Sequence, residues 1–324
     1  MKPEETAYRQ LNQSENDLQQ RMDALRICIV VPTYNNQNTL SDVLNDILQY
    51  TSNIIVVNDG STDDTDDILK SYAGRIEVVS HKPNRGKGYA LKTGFNRAEE
   101  LEYHNVITID SDGQHFAQDI KRFVEYASEY PGMILLGQRK TEGEMPAKNT
   151  FANKFSNFWF TVQTACRLKD TQNGFRLYPL LAMKGKRPLT ARYEAELEML
   201  VRLVWCGIKI IPVPTRIYYP PEDVRVTHFR PGKDFFRISL LNTFLTLLSI
   251  IYGYPSMIIR RFYGRMASGR NPYNDVVCKA LIICLLWIAS QARNDDTRSP
   301  DVSKAFIVCK TVDTRYDDYG EFYK

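Results

Sequence analysis

From residue 26 onward, short β-branched runs alternate with stretches of helical periodicity, and no other feature limits the possible folds so strongly. The runs Arg26–Val31, Asn53–Val57, Arg75–Ser80 and Asn105–Asp110 are followed by helical patterns over 38–50, 62–72, 88–101 and 116–130, and Met133–Leu136 continues the series. Strands joined through helices demand right-handed crossovers. The pattern therefore predicts an α/β fold, an open and mostly parallel sheet with helices on both faces. Ligands of such sheets sit beyond the carboxyl ends of the strands. That rule points to Pro32–Asn36, Asn58–Thr62, His81–Gly88 and Asp110–His115.

Composition removes several alternatives. Apolar residues at 43% and charged residues at 25% exclude global disorder and fibrous repeats. A negative mean hydropathy excludes a polytopic membrane protein. A net charge of +4 is too small to argue for nucleic acid, and six cysteines without a C-x-x-C pair make neither a disulfide framework nor a zinc site. Residues 1–25 are polar with no apolar leader core, so they read as a loose or helical extension and secretion is not expected. The stretch 139–235 is less regular, with helices over 151–166 and around Tyr193–Cys206 and a strand at Gly207–Val213. There the prolines at 212, 214, 220 and 221 are expected to end regular structure. It completes a catalytic domain over 26–235.

Between Arg237 and Arg260 no residue is charged. That length would span a bilayer. However, Ser239, Asn242, Thr243, Thr246, Ser249, Gly253 and Ser256 form a polar stripe, and Lys233, Arg237, Arg260, Arg261 and Arg265 flank the segment. The favoured reading is a helix lying in an anionic membrane surface within a segment 236–290, with a short spanning helix or a helix packed on the domain as alternatives. A shorter apolar run at Ala280–Ala289 could pair with it, and 291–324 is expected to be a disordered tail.

The chemistry centres on Ile107-Thr108-Ile109-Asp110-Ser111-Asp112-Gly113-Gln114-His115. In extended geometry Asp110 and Asp112 point to the same side. Two carboxylates with the amide oxygen of Gln114 suit Mg²⁺ or Mn²⁺, which completes its shell with substrate phosphates. Pro32, Tyr34 and Asn36 lie in a loop able to wall a planar base, and Asp59 is placed for a ribose hydroxyl or a base N–H. Asp63, Asp64, Asp66 and Asp67 read as acids of a first helical turn.

In their order, V-P-T-Y-N-N, V-V-N-D-G-S-T-D-D-T, N-R-G-K-G-Y-A-L and I-D-S-D-G-Q-H resemble a family 2 glycosyltransferase of the GT-A fold. The later Gly137–Lys140, Asp170–Tyr178 and Tyr193–Glu198 are similar to the dolichyl- and polyprenyl-phosphate sugar transferases. The resemblance covers roughly 26–235. It implies a UDP- or GDP-linked sugar donor, a divalent metal, transfer with inversion, a polyprenyl phosphate or related lipid or glycan acceptor, and the cytoplasmic face of a membrane. By position it implies that Pro32, Tyr34, Asn36 and Asp59 hold the nucleoside and that Asp110, Asp112 and Gln114 hold the metal. It further places Lys87 near the diphosphate, and Arg139 and Arg176 near the acceptor phosphate. The family's G-S-R-Y reads Gly137-Gln138-Arg139-Lys140 here, and its late R-x-x-G-x-S-K element is only loosely echoed by Arg225–Lys233.

A lipid phosphate is already anionic and needs no base. A sugar hydroxyl would need one, with Asp170 the first candidate and Glu194 or Glu196 next. Glu198 reads as part of a charged helix face, His115 as a loop-shaping residue, and Cys28, Cys166 and Cys206 as packing. A sugar-nucleotide pyrophosphorylase and a dinucleotide oxidoreductase both lack support, since Val31-Pro32-Thr33-Tyr34-Asn35 stands where a glycine-rich loop would be. A non-enzymatic, sugar-nucleotide-binding relative is opposed by the intact Asp110, Asp112 and Gln114.

Overall fold

The computed structural model describes residues 17–139, 147–219 and 231–263. The chain divides into two units, Met1–Met257 and Ile258–Lys324, and the architecture below is that of the first, save for the last helix, which ends in the second. The segment 280–289, the tail from 291, His228 and most of the Arg225–Lys233 echo lie outside the described residues.

The expected alternation appears as β1 (Ile27–Thr33), α2 (Leu40–Leu48), β2 (Ile54–Asn58), α3 (Thr65–Ser71), β3 (Glu77–Ser80), α4 (Lys87–Glu100) and β4 (Asn105–Thr108). A helical segment over 17–24, here α1, precedes them. It is not a loose extension at this point: Leu18 and Met22, one turn apart, are buried in the main core. Then follow α5 (Ile120–Glu129), β5 (Ile134–Arg139), α6 (Ala147–Thr164), β6 (Arg176–Pro179), α7 (Glu194–Trp205) and β7 (Ile210–Thr215).

The seven strands form one sheet in the order β3-β2-β1-β4-β6-β5-β7. β1 and β2 are buried at every position, as strands covered on both faces must be, which explains their unbroken apolar spelling. Each fully buried Ile or Val there stabilises the fold by about 1.5–3 kcal/mol. Chain order reverses between β1 and β4, so a crevice opens there at the carboxyl ends.

Two strands depart from expectation. β6 was not legible as a strand. It runs antiparallel between β4 and β5, with Arg176 opposite Thr108 on one side and Leu136 on the other. β7 runs on past the expected end at Val213, through Pro214 to Thr215, because it is the sheet's edge and needs ladder donors on one side only.

Beyond β7 lies a helical run: α8 (Pro231–Leu248), a π-helical turn (Ser249–Gly253) and α9 (Tyr254–Tyr263). Over Phe236–Arg261 it is long and apolar enough to cross a membrane by length and composition. Yet the polar stripe faces protein. Gln163 Nε2 donates to the Asn242 carbonyl and side chain at 3.2 and 3.1 Å. Ser256 donates to the Trp205 carbonyl at 3.2 Å, and Gly253 lies against the Trp205 indole. Phe236, Leu240, Leu247, Ile250 and Ile251 point away from the domain and are exposed. Thr243, on the exposed side, donates its hydroxyl to the Ser239 carbonyl one turn back. The protein-facing side also buries Leu245, Leu248 and Tyr252, so the run is mixed on its inner side and carries exposed apolar residues on its outer side.

Candidate active site

The site assembles at the crevice between β1 and β4. After Thr33 the chain turns at Asn35 with φ +49°, a left-handed conformation that asparagine tolerates better than most residues. The Asn35 amide donates to Ser61 Oγ at 3.0 Å, and the Thr62 amide donates to Asn35 Oδ1 at 2.8 Å, so the loops after β1 and β2 are tied together. Asn36, buried beside them, donates from Nδ2 to Ser111 Oγ at 2.5 Å. Ser111 in turn donates to the Pro32 carbonyl at 3.1 Å, and its own carbonyl accepts from Thr39 Oγ1 at 2.6 Å. Ser111, the middle residue of Asp-Ser-Asp, thereby fixes the two acids relative to the loop of Pro32, Tyr34 and Asn36. A serine between two aspartates gives no sequence signal of such a role.

Asp59 has a task that the sequence did not show. Its Oδ1 accepts the Arg85 N–H at 2.8 Å, its Oδ2 accepts the Gly86 N–H at 2.7 Å, and His81 Nδ1 lies 3.3 Å from Oδ1. The carboxylate, 3% exposed, sets the entry into α4. Gly86 is required at this entry: its φ is +97°, and a Cβ would strike the Ala191 carbonyl behind it. Glu198 belongs to the same construction. It is buried and not part of a solvated face, accepting the Leu189 and Thr190 amides and pairing with Arg202 at 2.6 Å, which holds the loop against which α4 begins.

Lys87, the first residue of α4, bridges two acids. Its Nζ lies 2.8 Å from Asp110 Oδ1 and 2.8 Å from Glu196 Oε2. Burial would lower the ammonium's pKa, but Asp110 and then Glu196 overcome it and hold Lys87 above its ordinary value. Burial likewise works to raise Asp110, against which Lys87 first and His115 second keep the carboxyl below the usual range. Asp110 Oδ2 rests over Gly174, where any Cβ would collide with it. Asp112 Oδ1 accepts the Gln114 N–H at 3.0 Å, and the Gln114 carbonyl accepts from Tyr218. His115 sets its ring edge against Phe175 at 5.4 Å and bridges to Ile217, as a loop-shaping residue would.

The acceptor-side residues separate into two kinds. Arg139, at the end of β5, pairs with Asp170 through Nε–Oδ2 at 2.7 Å and Nη2–Oδ1 at 3.1 Å, and donates from Nη1 to Tyr219 at 2.6 Å. Burial pushes the Asp170 carboxyl up, with Arg139 pulling the other way. Asp170 is 3% exposed and stands behind the arginine, with both oxygens engaged, so its place in the fold is that of a support. Arg176 is not brought to the open side at all. It is fully buried and donates to the carbonyls of Asn173, Thr171 and Glu196 and to Tyr178 OH, at 2.6–3.1 Å. Direct contact with an acceptor phosphate is therefore not the role its surroundings fit. Of the sulfur residues, Cys28 is buried as expected, while Cys166 is exposed and does not pack.

Asp110 and Asp112 offer carboxylate oxygens of the kind a hard cation takes, and Gly174 leaves room for the Asp110 carboxylate. Among the described residues no group of three or more His, Cys, Asp or Glu could hold a metal ion, so a cation here would need further oxygens from a substrate.

The fold is that of the GT-A glycosyltransferases. The chain belongs to glycosyl transferase family 2, whose family model matches residues 28–183. It is 27% identical over 239 residues to the UDP-N-acetylglucosamine–dolichyl-phosphate N-acetylglucosaminyltransferase of Methanococcus voltae, covering 66% of this chain and 95% of that one. It is 24% identical over 201 residues to the undecaprenyl-phosphate mannosyltransferase of Micrococcus luteus, covering 59% and 82%. The fold is shared with glucosyl-3-phosphoglycerate synthase of Mycobacterium tuberculosis, solved with Mn²⁺, UDP and phosphoglyceric acid, at a TM-score of 0.53 and 18% identity over 72% of this chain and 81% of that one. The protein is a glycosyltransferase.

Proposed function

We propose that the protein moves a sugar from a nucleoside diphosphate to a polyprenyl phosphate, inverting the anomeric carbon. The observation that carries the acceptor reading is the Arg139–Asp170 pair. A base must touch the proton it removes. Asp170 instead spends both oxygens on Arg139, and so holds a guanidinium in the orientation that receives a phosphate by charge-assisted hydrogen bonds. An acceptor that is already anionic needs no more than this.

On this reading Pro32, Tyr34 and Asn36 flank the nucleoside, over the loop that Asp59 anchors. Asp110, Asp112 and Gln114 hold Mg²⁺ or Mn²⁺, which when bound supplies Lewis-acid charge to the leaving diphosphate. Lys87 stands beside the same diphosphate. Arg139 places the acceptor phosphate in line with the anomeric carbon, and orientation of this kind is a major part of the rate gain. Arg176 acts from behind, fixing the loop 171–173 and Glu196.

The outward apolar side of the run from α8 to α9 supports a lipid acceptor. A run docked through Asn242 and Ser256, 14 residues apart, cannot also thread a bilayer along that length, and on this reading it lies on the membrane surface with Phe236, Leu247, Ile250 and Ile251 in the acyl boundary. Ile250→Asp with Ile251→Asp is expected to cut flotation with anionic phosphatidylglycerol vesicles at least about tenfold without changing the melting temperature, since both side chains are about two-thirds exposed. Unchanged flotation would remove this face from the membrane.

The reading is tested by incubating the protein with membrane lipid extract, Mg²⁺ or Mn²⁺, and labelled UDP- and GDP-sugars one at a time. Label entering the organic phase as a mild-acid-labile lipid is the expected result and names the donor. Metal-dependent donor hydrolysis without a lipid product would move the acceptor to a saccharide hydroxyl. No turnover of any donor would leave a binding protein.

A further inference from the structure

Asp110 is not an open ligand. The Lys87 ammonium lies 2.8 Å from its Oδ1, in a setting where the lysine side chain is 17% exposed and the aspartate 24%. A cation approaching the same carboxylate meets a positive charge already in contact with it. The two ends of the lysine's bridge differ in how enclosed they are. Glu196 sits in the first turn of α7, with Arg176 Nη2 3.7 Å from its other carboxylate oxygen. Asp110 sits in the loop beyond β4, its side chain 24% exposed against 12% for Glu196. Glu196 is thus the inner post and Asp110 the outer, exchangeable partner.

We propose that Lys87 is a built-in counter-ion that closes Asp110 to a lone divalent cation and releases it only when a nucleoside diphosphate arrives with the cation. The diphosphate supplies what the exchange needs: anionic oxygens for the ammonium, which leaves Asp110, and further oxygens for the cation, which takes its place. Lys87 trades one anion for another while Glu196 keeps hold of it. Cation and nucleotide therefore load together, and the donor-free enzyme holds neither firmly. This inference rests on the reading of Asp110 and Asp112 as the cation–nucleotide site.

The test is a titration of Mn²⁺ into the full-length protein, following free Mn²⁺ by electron paramagnetic resonance, alone and with saturating UDP or GDP. After subtraction of the Mn²⁺ that the same nucleotide binds without protein, wild type is expected to take up Mn²⁺ at least about tenfold more tightly with one of these nucleotides than without. Lys87→Met is expected to bind Mn²⁺ alone at least about tenfold more tightly than wild type does, because a contacting like charge has been removed and two acids left uncompensated. Lys87→Gln, which keeps a hydrogen-bonding group between the acids, should show the same direction. Mn²⁺ without nucleotide should also raise the melting temperature of both variants more than that of wild type, and a variant that folds only with Mn²⁺ present counts as the same result in stronger form. Wild type that binds Mn²⁺ alone as tightly as Lys87→Met overturns the counter-ion role and leaves the cation–nucleotide site standing. Failure of wild type and both variants to take up Mn²⁺ with either nucleotide overturns the site and the role together.

Discussion

Asp112→Ala is expected to lower sugar transfer about a thousandfold or more while leaving the fold intact. The side chain accepts the Gln114 N–H, a bond worth about 1 kcal/mol at a half-buried position. On the proposed reading its functional share is far larger. A group that stabilises charge developing on a leaving diphosphate contributes on the order of 10²–10³ in rate by itself, and loss of the cation removes more. Turnover with saturating donor and a thermal melt, run on the same preparation, separate the two effects. Near-normal turnover would take Asp112 out of the site, and a collapsed melt would make it a structural residue.

Arg176→Met should do the reverse, acting first on the fold. The guanidinium is fully buried and satisfies three carbonyls and a tyrosine hydroxyl, with the Glu196 carboxylate 3.7 Å away. Replacing it leaves those acceptors and a carboxylate without a donor in an enclosed space. Breaking a buried network of this kind costs about 3–5 kcal/mol. Arg176→Lys keeps the charge but loses the planar fork, and recovers only part of the loss. Urea unfolding measures both. A Met variant within about 1 kcal/mol of wild type would show that the network does not depend on Arg176.

These two residues mark how far the sequence can be read. The strand–helix alternation is legible because parallel strands buried on both faces must be spelled almost wholly in apolar residues, as Ile27–Val31 and Ile54–Val57 are. β6 is illegible for the opposite reason. Four residues beginning with a buried arginine give no periodicity, and only its neighbours β4 and β5 make it a strand. The loops at the strand ends are legible because they carry short, ordered motifs. What their side chains do to one another is not. Asp59 looks like a ligand group and anchors a backbone turn. Glu198 looks like a solvated acid and is buried under Leu189 and Thr190. The polar stripe through 239–256 is visible as a stripe, but its direction depends on Gln163 and Trp205, which lie far away in sequence. Periodicity shows that a helix has two faces without showing which one finds protein.

α7 joins the two ends of the proposed reaction. Its first turn carries Glu196, which holds Lys87, and its last residue is Trp205, whose indole donates to the Gln163 carbonyl and whose own carbonyl receives Ser256. Nine helical steps separate them, a rod of about 14 Å. The residue that docks the outer helical run and the residue that holds Lys87 are thereby kept at one fixed distance, and a displacement at either end of α7 is carried to the other.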